Sequence, residues 1–132
     1  MQPIRKAGAL ILRDRQILLV RPKGKLKLIT PGGKYEEGED AQACLMRELK
    51  EELSVRFLSF KPFKSYHFPK AEFSAQGLFL ELYIVKIAGK PRASGEIEDI
   101  VWVGRKGYEM EKKRFSSSFQ TIIPDLVRQG LL

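Results

Sequence analysis

Cysteine is nearly missing from this sequence: a single thiol, Cys44, stands in 132 residues. One thiol excludes an intrachain disulfide and a zinc site made of thiolates, so a reducing cytoplasm is the expected compartment. Long hydrophobic runs are missing as well. Nothing approaches the roughly 18 consecutive apolar residues of a membrane-spanning helix. The apolar stretch at residues 8–12 is followed by Arg13-Asp14-Arg15 and not by the small residues of a signal-peptide cleavage site. There is no internal repeat, low-complexity tract or linker, so one domain over residues 1–132 is expected.

What is present is 43% hydrophobic residues and a marked excess of cations, 24 Lys+Arg against 16 Asp+Glu, for a net charge of +8. A chain of this length buries roughly two thirds of its unfolded surface in one core. The positive surplus selects polyanionic partners in general, whether nucleotide, nucleic acid or acidic membrane surface, and does not choose among them.

Residues 8–12 and 16–21 are β-leaning runs around a charged turn and predict a hairpin. Residues 22–30 (PKGKLKLIT) read as a basic loop leading into a short strand, and Pro31-Gly32-Gly33 breaks the chain. From Glu39 to Leu53 every residue suits a helix, with an acidic first turn. Residues 55–68 show a broken strand pattern, residues 77–87 a nearly continuous apolar strand covered on both faces, and residues 97–103 a further strand. Phe119, Ile122, Ile123, Leu126 and Val127 form one helical stripe, which Pro124 should kink or restart. Strands around a central helix, with a second helix at the end, predict an α+β fold with helices packed on a mixed sheet.

The central helix carries an anomaly. At about 100° per residue, Glu48, Glu51 and Glu52 share one arc, while Leu45, Leu49, Leu53 and Met46 occupy the neighbouring arc expected to face the core. Like charges one turn apart cost a helix about 0.2–0.5 kcal/mol per pair in water. Two readings are open: a solvated acidic face balanced by Arg47 and Lys50, or a seat for a hard divalent cation such as Mg²⁺ or Mn²⁺, which prefers carboxylate oxygen.

The preceding loop weighs on that choice. Gly33, five residues, Glu39, seven residues, then Arg47-Glu48-Leu49-Lys50-Glu51-Glu52-Leu53-Ser54-Val55 resembles the signature of the Nudix hydrolases, G-x5-E-x7-R-E-U-x-E-E-x-G-U, where U is a bulky aliphatic. It departs at one defined position, where Ser54 replaces the usual glycine. Glycine there can end the helix in the left-handed conformation, which costs serine about 1 kcal/mol.

The resemblance implies a Nudix fold, a mixed sheet between helices in an α/β/α sandwich, and cleavage of a nucleoside diphosphate linked to another moiety with Mg²⁺ or Mn²⁺. It implies that Glu48, Glu51 and Glu52 bind metal, with the Gly32 carbonyl as a further ligand. Arg47 would orient a glutamate, Glu39 would brace the loop, and Gly33 would let the backbone turn. A bound ion would lower the pKa of a water that attacks phosphorus, and a carboxylate must take its proton. The candidates are Glu51, Glu52 and, from the turn before Trp102, Glu96, with Glu98 as its neighbour and competitor.

Each remaining candidate has an ordinary alternative. Arg21, Lys23, Lys25 and Lys27 attract a polyphosphate or are a solvated loop; Tyr66 and Phe68 stack on a base or pack in the core. His67, the only histidine, Trp102 and Cys44 read as surface or packing residues. Lys112-Lys113-Arg114 reads as a solvated run. Four functions follow: a pyrophosphohydrolase of an intact or oxidised nucleoside triphosphate; an ADP-ribose or dinucleoside-polyphosphate hydrolase, for which Pro69 lies near the position of a substrate hint; an enzyme of an RNA 5′ end, for which no arginine-rich or aromatic-interleaved patch stands out; and a nucleotide-binding module with little turnover, motivated by Ser54. A monomer and a homodimer both fit the resemblance.

Overall fold

In the computed structural model, which describes residues 2–71 and 74–132, the apolar runs become strands and helices in the order β1 (Ile4–Leu10), β2 (Leu12–Arg13), β3 (Gln16–Pro22), β4 (Gly32–Lys34), α1 (Ala41–Leu53), β5 (Arg56–Phe68), β6 (Leu78–Ala88), β7 (Ile97–Val103), α2 (Arg105–Met110) and α3 (Phe119–Arg128), with a 3-10 turn at Lys112–Arg114. One sheet has the strand order β4-β1-β6-β5 and the other β2-β3-β7. β1 runs parallel to β6, and the remaining strand pairs are antiparallel.

Strand β3 shows why the runs are apolar throughout. Leu18 and Val20 pack with Leu45, Leu49 and Leu53 of α1, whereas Ile17 and Leu19 pack with Phe119, Ile122 and Leu126 of α3. A strand covered on both faces has no polar side to present. β6, between β1 and β5, is the equivalent central strand of the other sheet. Layers of helix, sheet and helix result.

The local departures have physical reasons. The hairpin forms only at its tip, where Leu12 pairs with Ile17 and Arg13 with Gln16 around Asp14 and Arg15, both at positive φ (51° and 59°), as a tight primed turn requires. The strand before it begins at Ile4 and leaves to join the other sheet. α1 begins at Ala41, not Glu39: Asp40 is the cap, its carboxylate accepting the Ala43 N–H at 2.9 Å, so the acids expected in the first turn lie outside the helix. Met46, expected in the core, is 47% exposed because it lies at the far margin of the leucine arc. The broken pattern of β5 corresponds to two register shifts, between Phe57 and Ser59 and between Pro62 and Lys64. α3 runs through Pro124; the carbonyl deprived of a partner is that of Gln120, which is exposed.

Ser54 takes the left-handed conformation (φ 55°, ψ 39°) that the signature reserves for glycine. Its N–H donates to the Lys50 carbonyl at 3.1 Å and its hydroxyl to Ser94 Oγ at 3.2 Å. Ser94 in turn donates its hydroxyl to the Glu51 carbonyl at 2.7 Å and its N–H to that of Glu52 at 3.0 Å. The segment before β7 therefore closes the C-terminal end of α1. Ser54→Gly relieves about 1 kcal/mol of backbone cost and loses a contact of similar worth, so its urea midpoint should stay near that of the native chain. Ser94→Ala should lose about 0.5–1.5 kcal/mol, and an unchanged midpoint would refute the capping role.

Candidate active site

Two glycines set the approach of strand to helix. Gly32 has φ +131°, and a Cβ there would lie 2.1 Å from the Ala7 carbonyl oxygen of β1; a Cβ at Gly33 would lie 2.6 Å from the Glu48 carboxylate. β4 thus pairs with β1 while its other edge meets acidic side chains of α1. The break anticipated at these glycines is a short strand, possible because both residues lack a side chain.

Arg47 organises the acids. It grips Glu39 with two donors, Nε to Oε2 at 2.7 Å and Nη2 to Oε1 at 2.8 Å, while Nη1 reaches Glu48 Oε1 at 2.7 Å and Nη2 the Lys34 carbonyl at 3.1 Å. One guanidinium thereby ties the loop before the helix, strand β4 and the first glutamate of the cluster together. The hydrogen bond from Arg47, then that from the Glu36 N–H, holds the Glu39 carboxyl down to about 2. Glu39 links the Glu36 N–H to Arg47 from before the helix cap and not from within the helix.

The three clustered glutamates are not equivalent. The Glu51 side chain is 59% exposed and that of Glu48 only 15%. Glu52 is half-buried and accepts the Gly32 N–H at 3.1 Å. Burial and, beyond it, the nearness of Glu48 push the Glu52 carboxyl well above the usual carboxylate range, against the pull of the Gly32 N–H. The site is an inward pair, Glu48 and Glu52, with Glu51 at its rim. Among the described residues no group of three or more His, Cys, Asp or Glu side chains is placed to hold a metal ion.

A cavity of about 220 Å³ shares Gly32 and Gly33 with this pair. Lys6, Lys34 and Lys70 supply its charge, Phe68, Leu78 and Leu80 an apolar wall, and Thr30 with Ser116, Ser117 and Ser118 its hydroxyls. Burial, then Lys34, lowers the pKa of the Lys6 ammonium while Glu52 and Glu48 raise it, so this lysine lies within the field of the acidic pair.

Other candidates fall elsewhere. Phe68 lines the cavity, but Tyr66 is buried behind it, its ring 5.8 Å from that of Phe68 and its hydroxyl donating to Asp125 at 2.6 Å. Arg21 pairs with Asp99 and donates to the Lys25 carbonyl at 3.0 Å. The Lys23 N–H donates to the Glu96 carbonyl at 2.8 Å. Glu96 itself is exposed, at the turn whose Ser94 closes α1. His67 is exposed, and Trp102 lies beneath the Arg13 guanidinium, 4.0 Å from the ring centre. Cys44 is fully buried, with its thiol pushed up to about 11 by burial, and is a packing residue.

A model of the NUDIX domain matches residues 2–126. The chain belongs to the Nudix family. Its fold is similar to that of a NUDIX hydrolase from Nitrosomonas europaea, at 20% identity over 97% of this chain and 90% of that one, with a TM-score of 0.82. A MutT NUDIX hydrolase from Burkholderia pseudomallei is 25% identical over 79% of this chain and 84% of its own, with a TM-score of 0.70. A bifunctional NMN adenylyltransferase/ADP ribose pyrophosphatase from Francisella tularensis, complexed with AMP and a manganese ion, matches at 20% identity over 96% of this chain and 42% of its own, with a TM-score of 0.69. A comparison with curated proteins gives no match.

Within this Nudix site, Lys6, Lys34, Lys70 and the serines at 116–118 were not marked by the sequence. They come from strand β1, strand β4 and two distant loops, and no spacing along the chain joins them. The Arg47–Glu39 pair generates a test. Because the folded-state pKa of Glu39 is depressed, its contribution is complete above its ordinary value of 4.5 and is lost as pH falls toward 2. Glu39→Gln should therefore lower the urea midpoint at pH 7, and the gap to the native chain should shrink as pH falls below 4.5. A gap independent of pH would refute the ion-pair role.

Proposed function

We propose that this Nudix protein hydrolyses a pyrophosphate bond of a nucleoside triphosphate, intact or oxidised, with the help of Mg²⁺ or Mn²⁺. The observation that carries the reading is the inward pair Glu48 and Glu52 beside a lysine-lined cavity. Two half-buried carboxylates one turn apart repel each other, and a cation shared between them offsets that repulsion. Their oxygens are the donors a hard divalent ion prefers, and Mg²⁺ commonly takes one or two carboxylates and completes its shell with water and phosphate. Glu48 and Glu52 would hold the ion, with Glu51 and the Gly32 carbonyl as further ligands. Such an ion neutralises charge at phosphorus and makes a water nucleophilic near neutral pH.

The chain supplies the rest. Arg47 keeps Glu48 turned inward, and Lys6, Lys34 and Lys70 hold phosphate oxygens. Phe68 offers a face for the base. The proton of the attacking water passes to a carboxylate, Glu51 or Glu52 of the helix or Glu96 or its neighbour Glu98 beside the turn before β7. The MutT name of the Burkholderia protein supports the triphosphate reading. A second reading, ADP-ribose or a dinucleoside polyphosphate, has the Francisella relative and Pro69 beside Phe68 in its favour. A chain with one buried thiol suits a cytoplasmic enzyme.

Nucleoside triphosphates, oxidised dGTP, ADP-ribose and diadenosine polyphosphates, each with Mg²⁺, Mn²⁺ or EDTA, separate these readings. Pyrophosphate release from a triphosphate, abolished by EDTA, is expected. Nucleotide binding with no product from any substrate would leave only a binding module. Glu52→Gln should lower kcat by about 10²–10⁴ with an unchanged circular dichroism spectrum, and near-native turnover would remove Glu52 from the chemistry.

A further inference from the structure

Among the described residues the two most exposed large hydrophobic side chains are Leu26, at 90%, and Met110, at 75%, and both stand in basic segments. Leu26 lies between Lys25 and Lys27 in the loop after β3, with Lys23 before them. Met110 ends α2 and is followed, after Glu111, by Lys112, Lys113 and Arg114. The fold joins these two segments, which lie far apart in the sequence. Leu28 forms a parallel bridge to Phe115, its N–H donating to the Arg114 carbonyl at 2.8 Å, and the Ser116 N–H donates back to the Leu28 carbonyl at 3.1 Å. Leu26 is two residues from the bridge and Met110 five, so along the chain they lie at most about 7 Å and about 18 Å from it. Nearby acids offset part of the charge: Glu111 pairs with Arg114 at 2.5 Å, Asp99 pairs with Arg21, and the exposed Glu96 accepts the Lys23 N–H. Lys112 and Lys113 are both exposed.

Large apolar side chains in water favour a partner that covers them, and the surrounding charge decides which partner fits. A nucleic-acid strand matches the cations, but its bases are held by stacking on aromatic rings, and neither Leu26 nor Met110 offers one. An anionic bilayer surface answers both features at once: its headgroups attract lysine ammonium groups, and the acyl boundary just beneath them takes an apolar side chain. We propose that this surface docks on an anionic membrane, with Leu26 inserted at the headgroup–acyl boundary and Lys112 and Lys113 on the headgroups. The protein then lies on the bilayer and does not span it; among the described residues no helix is long and apolar enough to cross a membrane. The docking is independent of the chemistry at Glu48 and Glu52.

Cys44 is fully buried and is the only native thiol, so Leu26→Cys in the full chain takes an environment-sensitive fluorophore at one place. Its emission should shift to the blue on vesicles of phosphatidylcholine mixed with phosphatidylserine and stay unchanged on phosphatidylcholine alone. The same label at Leu58→Cys, an exposed position on β5 outside the basic segments, should not respond. In cosedimentation with the mixed vesicles, Leu26→Ser should bind about tenfold more weakly. Lys112→Ala/Lys113→Ala should bind about twentyfold more weakly, a loss that shrinks at high salt. All three positions are exposed, so the circular dichroism spectra of both variants should match that of the native chain. A native chain that does not cosediment overturns the proposal, as does a label at Leu26 that does not shift or a Leu26→Ser variant that binds like the native chain. Losses seen with a single-stranded RNA or an acidic polypeptide but not with vesicles assign the surface to that partner and overturn the membrane.

Discussion

Two carboxylates turned toward the same place are the constraint around which this protein is arranged. Glu48 and Glu52 lie one helical turn apart and face inward, where their mutual repulsion is less screened than in water. Everything that touches them answers that charge or makes room for it. Gly33 leaves space for the Glu48 carboxylate, Gly32 donates its N–H to Glu52, and Arg47 draws Glu48 into a cluster with Glu39. Lys6 supplies a half-buried cation from the neighbouring strand. Under the proposed function a divalent ion would complete the same arrangement, which would make a costly local geometry useful.

The helix end shows the same coupling of local cost and tertiary support. Ser54 adopts a backbone conformation that serine resists, and Ser94, reached only through the return of the chain before β7, bonds both its hydroxyl and the carbonyls beside it. The departure from the family signature is accommodated at the helix end by these bonds. The segment that closes the helix also brings Glu96 to that end, so the cap and the placement of a candidate proton acceptor are one feature.

Much of this was legible in the residues. The body of the helix to Leu53, the doubly covered strand β6, strand β7 and the C-terminal helical stripe are all local patterns, and burial on two faces leaves a distinct apolar run. The split among the glutamates was not legible, because Glu48, Glu51 and Glu52 share one arc and only the position of β4 decides which of them turn inward. Tyr66 and Phe68 illustrate the same limit: two aromatics two residues apart on one strand face, one bonded to Asp125 in the core and the other open to the cavity.

Sequence alone determined the family, the acidic helix and the layered α+β class, because these follow from motif spacing and periodicity within short segments, while roles for Arg47 and Glu39 were implied by the family resemblance. Only the tertiary structure decided which lysines face the acids and that the two basic runs form one surface. Those facts depend on the pairing of β1 with β4 and of Leu28 with Phe115, contacts between segments whose separation along the chain carries no signal of their nearness in space.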